Sequence, residues 1–142
     1  MNRICVRSEQ KTVAIDRALL KNIIAGIMAH ERPGIRYEVG VCLVPDRRIQ
    51  NLNRRFHGRD IPTDVLAFSL GRSADEIIAD IYVSTQTAVS QSLKFGTNPR
   101  YETYLYCVHG VLHCVGFDDR TPAGRRAMRR AEKKYLNKFH IK

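Results

Sequence analysis

Long hydrophobic runs are missing from this chain of 142 residues. No apolar stretch approaches the roughly 18 residues that a membrane-spanning helix needs. The opening residues MNRICVRSEQKT contain no apolar segment long enough for a signal peptide. These absences predict a cytoplasmic protein without a membrane partner. Internal repeats, low-complexity tracts and linkers are also missing, so residues 1–142 are predicted to form a single domain.

Paired cysteines are missing as well. The four cysteines are scattered and form no C-x-x-C pair; they are Cys5, Cys42, Cys107 and Cys114. This spacing argues against a disulfide framework and against a Cys-rich zinc knuckle. Because a free cysteine behaves as a small buried hydrophobe, all four are predicted to be reduced thiols of the core.

Acidic residues are few relative to basic ones, 14 against 24, which gives a net charge of +10. Such an imbalance favours a polyanionic partner such as a nucleic acid. Cations recur at helical spacing near the end of the chain, at Arg125, Arg126, Arg129, Arg130, Lys133 and Lys134. They cover one half of the predicted helix, and apolar side chains such as Met128 and Tyr135 cover the other. A solvated outer face is the alternative interpretation, but the charge of the whole chain favours a phosphate-binding face.

Apolar periodicity places most strands early in the chain and most helices late. Strands are predicted at 37–44, 64–70 and 76–84, with a hairpin turn at 71–75, and residues 4–6 and 12–14 predict one or two short opening strands. Helices are predicted at 16–30, 45–55, 84–95, 99–116 and 122–139, with Ser84 as an N-terminal cap and Gly96 as a C-terminal stop. This order predicts an α+β fold in which one small mixed sheet packs against several helices.

The segment HGVLHCVGFDDR, residues 109–120, contains the residues most suited to chemistry. In a helix, His109 and His113 lie one turn apart on the same face, so both imidazoles can reach one ion. After Gly116 the chain can turn so that Asp118 or Asp119 returns over the histidines. Two histidines and one carboxylate leave a coordination position open, as in catalytic zinc sites. Histidines of an ordinary core or surface helix are the alternative interpretation.

Gly110 decides between two kinds of metal site. In the H-E-x-x-H pattern of zinc peptidases, the glutamate after the first histidine is the general base. Gly110 occupies that position, which disfavours a metallopeptidase. A glycine inside a helix costs about 1 kcal/mol relative to alanine, so a close approach of substrate, metal or another backbone is expected there. A metal that lowers the pKa of water to about 7 suits phosphodiester hydrolysis.

Three segments together resemble one family. HGVLHCVGFDD resembles the H-G-x-L-H-x-x-G-Y-D-H signature of the YbeY family, bacterial metal-dependent endoribonucleases of ribosomal RNA maturation. LNRRFHGRDIPTDVLAFSL resembles the family's Asn-containing helix, Arg-Gly turn and T-D-V-L-S-F strand. ADIYVS resembles its G-D-I-x-I-S strand. The order and spacing of the three agree, so the resemblance covers the chain from about residue 51 to 135.

The resemblance implies site residues, and the chain departs from the family at two of them. The family's third histidine ligand falls at Asp119, so the implied ligands of one Zn²⁺ are His109, His113 and Asp119; aspartate is a competent zinc ligand. Asp118 is expected to support the turn or the ligands. The family's arginine before the glycine falls at His57, so His57 and the nearby Arg59 are the expected catalytic residues.

The resemblance also implies the substrate and the partners. The expected activity is cleavage of single-stranded RNA in the maturation of the 3′ end of small-subunit ribosomal RNA and in ribosome quality control, with the ribosome as partner and no DNA. The residues expected to contact RNA phosphates are Arg54, Arg55, Arg125, Arg126, Arg129 and Arg130. The alternative is an RNA-binding factor of ribosome assembly whose metal site is structural or vestigial.

Overall fold

Four strands form one mixed sheet in the computed structural model, which describes residues 2–73 and 75–142. They are β1 (Arg3–Ser8), β2 (Arg36–Val44), β3 (Val65–Arg72) and β4 (Glu76–Ser84). Their order across the sheet is β1-β2-β4-β3; β1, β2 and β4 are parallel, whereas β3 pairs with β4 antiparallel. The predicted hairpin turn between β3 and β4 includes residue 74, which lies outside the described residues. Because β3 stands last in the strand order, it is an outer strand of the sheet.

Five helices accompany the sheet. They are α1 (Arg17–Glu31), α2 (Asp46–His57), α3 (Thr85–Phe95), α4 (Pro99–Cys114) and α5 (Pro122–Lys138). Polar side chains cap most N-termini, because the first backbone N–H groups of a helix have no partner within it. The predicted cap Ser84 accepts from the backbone N–H of Thr87, and Gly96 ends α3 in a left-handed conformation. Both predictions at α3 are confirmed.

The two faces of the sheet are covered differently. On one face, α1 and α4 pack against alternate strand residues such as Val39, Val41 and Ile81, which form the main core. On the other face, α2 covers a smaller cluster that includes Ile49, Leu52 and Leu66. The predicted α+β class, a small mixed sheet packed against helices, is confirmed, and α4 is the central helix of the main core.

The structure decides one local alternative, since there is a single opening strand, and shows that the prediction for Cys5 is wrong. The residues at 12–14 form no strand, because Gln10 Oε1 accepts the backbone N–H groups of Thr12 and Val13 and so keeps them from a strand partner. Cys5 is exposed, because it lies on the face of β1 opposite the core residue Val6, whereas the other three cysteines are buried. No described helix is long and apolar enough to span a bilayer.

Candidate metal centre

The histidine pair lies on the half-buried side of α4, beside the sheet. Gly110 lies on the buried side of the helix, where a Cβ atom would come within 2.8 Å of Ile81 Cγ2 and 3.2 Å of Val65 Cγ2. The expected close approach is therefore to side chains of β4 and β3, rather than to a backbone segment. The absence of a side chain at Gly110 lets α4 pack directly on the strands, which sets the position of His109 and His113 at the edge of the core.

The turn after α4 brings a carboxylate back to the histidines. Gly116 has a φ of 114°, a region that residues with a side chain rarely adopt, and Phe117 N–H donates to the Leu112 carbonyl. This reversal lets the Phe117 carbonyl accept from His113 Nδ1 at 3.1 Å. Two residues later, Asp119 lies over the histidine pair.

Three ligand atoms converge at this point. His109 Nε2 and His113 Nε2 are 3.0 Å apart, and Asp119 Oδ2 lies 3.5 Å from His109 Nε2 and 3.6 Å from His113 Nε2. Bonds of about 2.0–2.1 Å to one tetrahedral ion would separate its ligand atoms by about 3.4 Å. The three atoms form a group that could hold a metal ion, and their separations are close to those expected for ligands of a single ion.

Glu132 is a site residue that the sequence prediction missed. It lies in α5, and its Oε2 atom is 2.6 Å from His109 Nδ1. Burial lowers the pKa of His109, but the hydrogen bond and charge of Glu132 outweigh burial, so the net pKa is raised. The carboxylates of Asp119 and Asp64 add to this rise. One signal was available, because Glu132 is the only acid in the otherwise basic α5.

The neighbouring carboxylate, Asp118, is engaged elsewhere. Its Oδ2 atom lies 2.7 Å from Arg120 Nη2, and its Oδ1 atom accepts the Arg120 backbone N–H. These hydrogen bonds hold the pKa of Asp118 at about 2. Of the two adjacent aspartates, only Asp119 is brought to the histidines.

A pocket of about 420 Å³ opens beside His109 and His113. Its other wall is β3, through Val65, Ala67 and Ser69, and Asp64 lies at the start of that wall. The Oδ1 atom of Asp64 accepts the backbone N–H of Val65 at 2.8 Å, which fixes the carboxylate at the entrance to the strand. The pocket therefore has the histidines on one side, an outer strand on the other and the carboxylate of Asp64 at its entrance.

The predicted phosphate-binding residues occupy two separate elements. Every cation of α5 is exposed, and Arg125 Nη1 donates to the Asp119 carbonyl at 3.4 Å, which places this arginine beside the metal centre. Arg54, Arg55 and Arg59 are exposed at the end of α2 and in the following turn. Among the described residues, none of these three forms an ion pair with a carboxylate.

His57 and Arg59 do not line the pocket within the described part of the chain. The His57 ring lies parallel to Phe68, with 5.8 Å between centroids. Arg59 N–H donates to the Asn53 carbonyl, and the Asn53 side chain donates to the Ile61 carbonyl, so the turn after α2 is held to the helix. The catalytic roles of His57 and Arg59 stay predictions.

A family model and individual relatives of known family identify the same family for this chain. The family described as Endoribonuclease YbeY matches residues 5–140. The chain is 33% identical to the endoribonuclease YbeY of Pelotomaculum thermopropionicum, covering 97% of both chains, and 32% identical to that of Salinibacter ruber, covering 94% of this chain and 90% of the relative. The solution structure of TM1509 from Thermotoga maritima superimposes with a TM-score of 0.65 at 26% identity, covering 96% of this chain and 91% of that one.

Proposed function

Because the chain belongs to the endoribonuclease YbeY family, whose members cut phosphodiester bonds of RNA, we propose that it is a zinc-dependent endoribonuclease specific for single-stranded RNA. Its proposed task is maturation of the 3′ end of small-subunit ribosomal RNA and ribosome quality control, in the cytoplasm and on the ribosome. The observation that supports this most directly is the convergence of His109, His113 and Asp119.

The hydrogen bonds around the histidines favour a cation at that point. The Phe117 carbonyl can only accept, so His113 Nδ1 must donate to it. His109 Nδ1 donates to the Glu132 carboxylate in the same way. In their neutral forms, both Nε2 atoms then present lone pairs, 3.0 Å apart and next to a carboxylate oxygen. Three acceptors so close together require a proton or a cation between them.

The donor set also favours zinc among the cations. Two imidazole nitrogens and one carboxylate oxygen are typical of a catalytic zinc site, in which one position stays open for water or substrate. Each histidine is oriented through its Nδ1 atom, as is usual for metal-ligating imidazoles. When bound, the ion supplies a Lewis acid for a phosphodiester oxygen and lowers the pKa of water to about 7.

Four further residues would contact the RNA substrate. Asp64, fixed at the entrance to the pocket, is placed to accept a proton or a hydrogen bond from the nucleophile or the leaving group. Arg125 lies next to Asp119 and extends the cationic surface of α5 to the edge of the metal centre. We assign Arg59 to a phosphate of the bound strand and His57 to a contact with the same strand, because both are exposed, at the end of α2 and in the turn that follows it.

The test is cleavage of a labelled single-stranded RNA and of the same sequence as a duplex, with and without added Zn²⁺, Mn²⁺ or Mg²⁺. We expect metal-dependent cleavage of the single strand only, and its loss in His109→Ala. A precursor of small-subunit ribosomal RNA should be shortened at its 3′ end. Tight RNA binding without cleavage under any of these metals would overturn the proposal and favour the assembly-factor alternative.

A further inference from the structure

Four aromatic rings lie in contact at the end of α2 and along β3 and β4; we call them the aromatic platform and define it as Phe56, His57, Phe68 and Tyr82. The Phe56 and Phe68 centroids are 5.3 Å apart at 62°, and the His57 ring is parallel to Phe68 within 5°. Tyr82 meets Phe68 edge to face at 6.1 Å. Phe68 thus lies at the centre and contacts the other three rings.

Two rings of the aromatic platform pack against the core, and the other two are exposed to solvent. Phe68 and Tyr82 are partly buried against the cluster of Val44, Ile49 and neighbouring residues, which fixes their positions. Phe56 is 58% exposed, and His57 is exposed beside it. An exposed ring that rests on fixed rings offers a flat surface at a low entropic cost, because it has little freedom left to lose.

Cations lie close to two rings of the aromatic platform. The Arg55 guanidinium lies 5.5 Å from the Phe56 ring centroid, and that of Arg48 lies 5.9 Å from Tyr82. Arg54 and Arg59 are exposed nearby. Aromatic side chains that alternate with arginines are typical of proteins that bind single strands, because every base has a face that can stack and every link carries a negative charge.

The platform and the metal centre share one strand. Phe68 points to the face of β3 that α2 covers, whereas its neighbours Ala67 and Ser69 line the pocket beside the histidines. Successive side chains of a strand point to opposite faces, so only the thickness of an outer strand separates the two sites. A flexible single strand can pass around such an edge, whereas a stacked duplex cannot.

From these contacts we propose that the aromatic platform is a base-stacking subsite: an unpaired base of the RNA stacks on Phe56 and His57, Arg55 and Arg59 hold its flanking phosphates, and the strand then passes around β3 to the metal centre. The proposal rests on the proposed ribonuclease function, because it names the part of the RNA that this second site binds. It explains a preference for unpaired RNA by a physical cause, since both faces of a base inside a duplex are covered by its stacked neighbours.

The experiment measures fluorescence anisotropy of a labelled oligoadenylate and of an equally charged oligomer without bases, in the presence of a chelator so that cleavage plays no part. The full chain should prefer the oligoadenylate. Phe56→Leu should weaken oligoadenylate binding about fivefold or more and leave binding of the baseless oligomer unchanged. Phe56→Trp should preserve or strengthen the preference.

The matched control is Phe95→Leu. Phe95 is 64% exposed in α3, with Lys94 over its ring, so it has a similar exposure and a similar cation. Among the described residues, its ring contacts no other aromatic ring. It should leave both affinities unchanged. Arg59→Gln separates charge from stacking, because it should weaken both oligomers and reduce the slope of log affinity against log salt by about 0.7.

The two proposals fail in different ways. If the chain cleaves RNA but Phe56→Leu binds oligoadenylate as tightly as the original chain, the platform is not a stacking subsite and the proposed function stands. An absent base preference in the full chain would also overturn the subsite. If no RNA is cleaved but the Phe56-dependent preference is present, the subsite stands and the nuclease function falls.

Discussion

At the scale of single residues, the two adjacent aspartates have different surroundings. Asp118 pairs with Arg120 in solvent, whereas Asp119 points its Oδ2 atom at both histidines. Glu132 accepts a hydrogen bond from His109 Nδ1 and so fixes the orientation of that ring. All three side chains are carboxylates, but their different partners predict a different effect on metal binding for each.

Replacing Asp119 should reduce the metal content, whereas replacing Asp118 should not. Asp119→Ala removes one of three ligand atoms, and Asp118→Ala removes only an exposed partner of Arg120. Elemental analysis after dialysis against Zn²⁺ and then against buffer measures the bound metal per chain. Equal retention of metal in the two variants would show that Asp119 is not a ligand.

Glu132→Gln should lower zinc affinity about 10-fold to 100-fold, the usual effect of losing a partner that orients a ligand. The variant keeps an acceptor for His109 Nδ1–H but removes the charge that raises the basicity of the imidazole. Competition with a chromogenic chelator gives the affinity. Lys133→Gln, a change at the exposed neighbouring position, is the control and should bind zinc as the original chain does.

At the scale of elements, α4 and α5 perform different tasks at one centre. α4 contacts the sheet closely through Gly110 and supplies both histidines. α5 packs its apolar side, including Met128 and Tyr135, on the core and exposes its cations. Glu132 lies between those two sides of α5 and joins the helix to His109.

Gly110→Ala should destabilise the fold although alanine favours a helix. The added methyl would lie 2.8 Å from Ile81 Cγ2; such overpacking costs about 1–3 kcal/mol, against about 1 kcal/mol gained in helix propensity. Urea unfolding should therefore show a net loss of up to about 2 kcal/mol. In Ile81→Ala, the same glycine substitution should cost less, and an equal cost in both backgrounds would contradict the packing explanation.

Neutralising Arg125, Arg129 and Arg130 should weaken RNA binding regardless of sequence. For each arginine that no longer binds a phosphate of the single strand, the slope of log affinity against log salt should fall by about 0.7. Lys11, Arg17 and Lys21, which are exposed elsewhere, provide a control with the same change in net charge. If the two triple variants have the same slope, α5 is only a solvated face.

At the scale of the whole molecule, the core contains groups that ionise in alkali. Burial raises the pKa of the Cys107 thiol to about 12 and that of the Cys42 thiol to about 11, where Glu9 adds to the effect. Burial likewise raises the pKa of Tyr104. These groups keep their protons in the folded chain at a pH where the unfolded chain releases them.

The free energy of unfolding should therefore fall as the pH rises above about 9. A group whose folded pKa is raised stabilises the fold fully below its unfolded pKa, and this contribution is lost as the pH rises through the folded pKa, here from about 9 to about 12 for Cys107. Between pH 10 and 11, the free energy of unfolding of Cys107→Ala should fall less steeply with pH than that of the original chain, by up to about 1.4 kcal/mol per pH unit. Cys5→Ala, at an exposed thiol, should leave the slope unchanged.

Sequence patterns were sufficient to predict the fold class, the family and nearly every helix and strand. Those predictions rest on local periodicity, on caps such as Ser84 and on turn residues such as Gly116, which act within a few residues of the chain. The spacing of His109 and His113 is of the same kind, because one helical turn places both imidazoles on one face.

The groups that surround the histidines depend on contacts between elements that are distant in the chain. The choice of Asp119 over Asp118 depends on the turn after Gly116, and the contact of Glu132 with His109 joins residues 23 positions apart on two helices. The contact of the His57 ring with Phe68 likewise joins the end of α2 to β3. Contacts of this kind depend on how elements pack, and no local pattern specifies packing, because a side chain's partner across a core or a strand leaves no periodic signal in either segment.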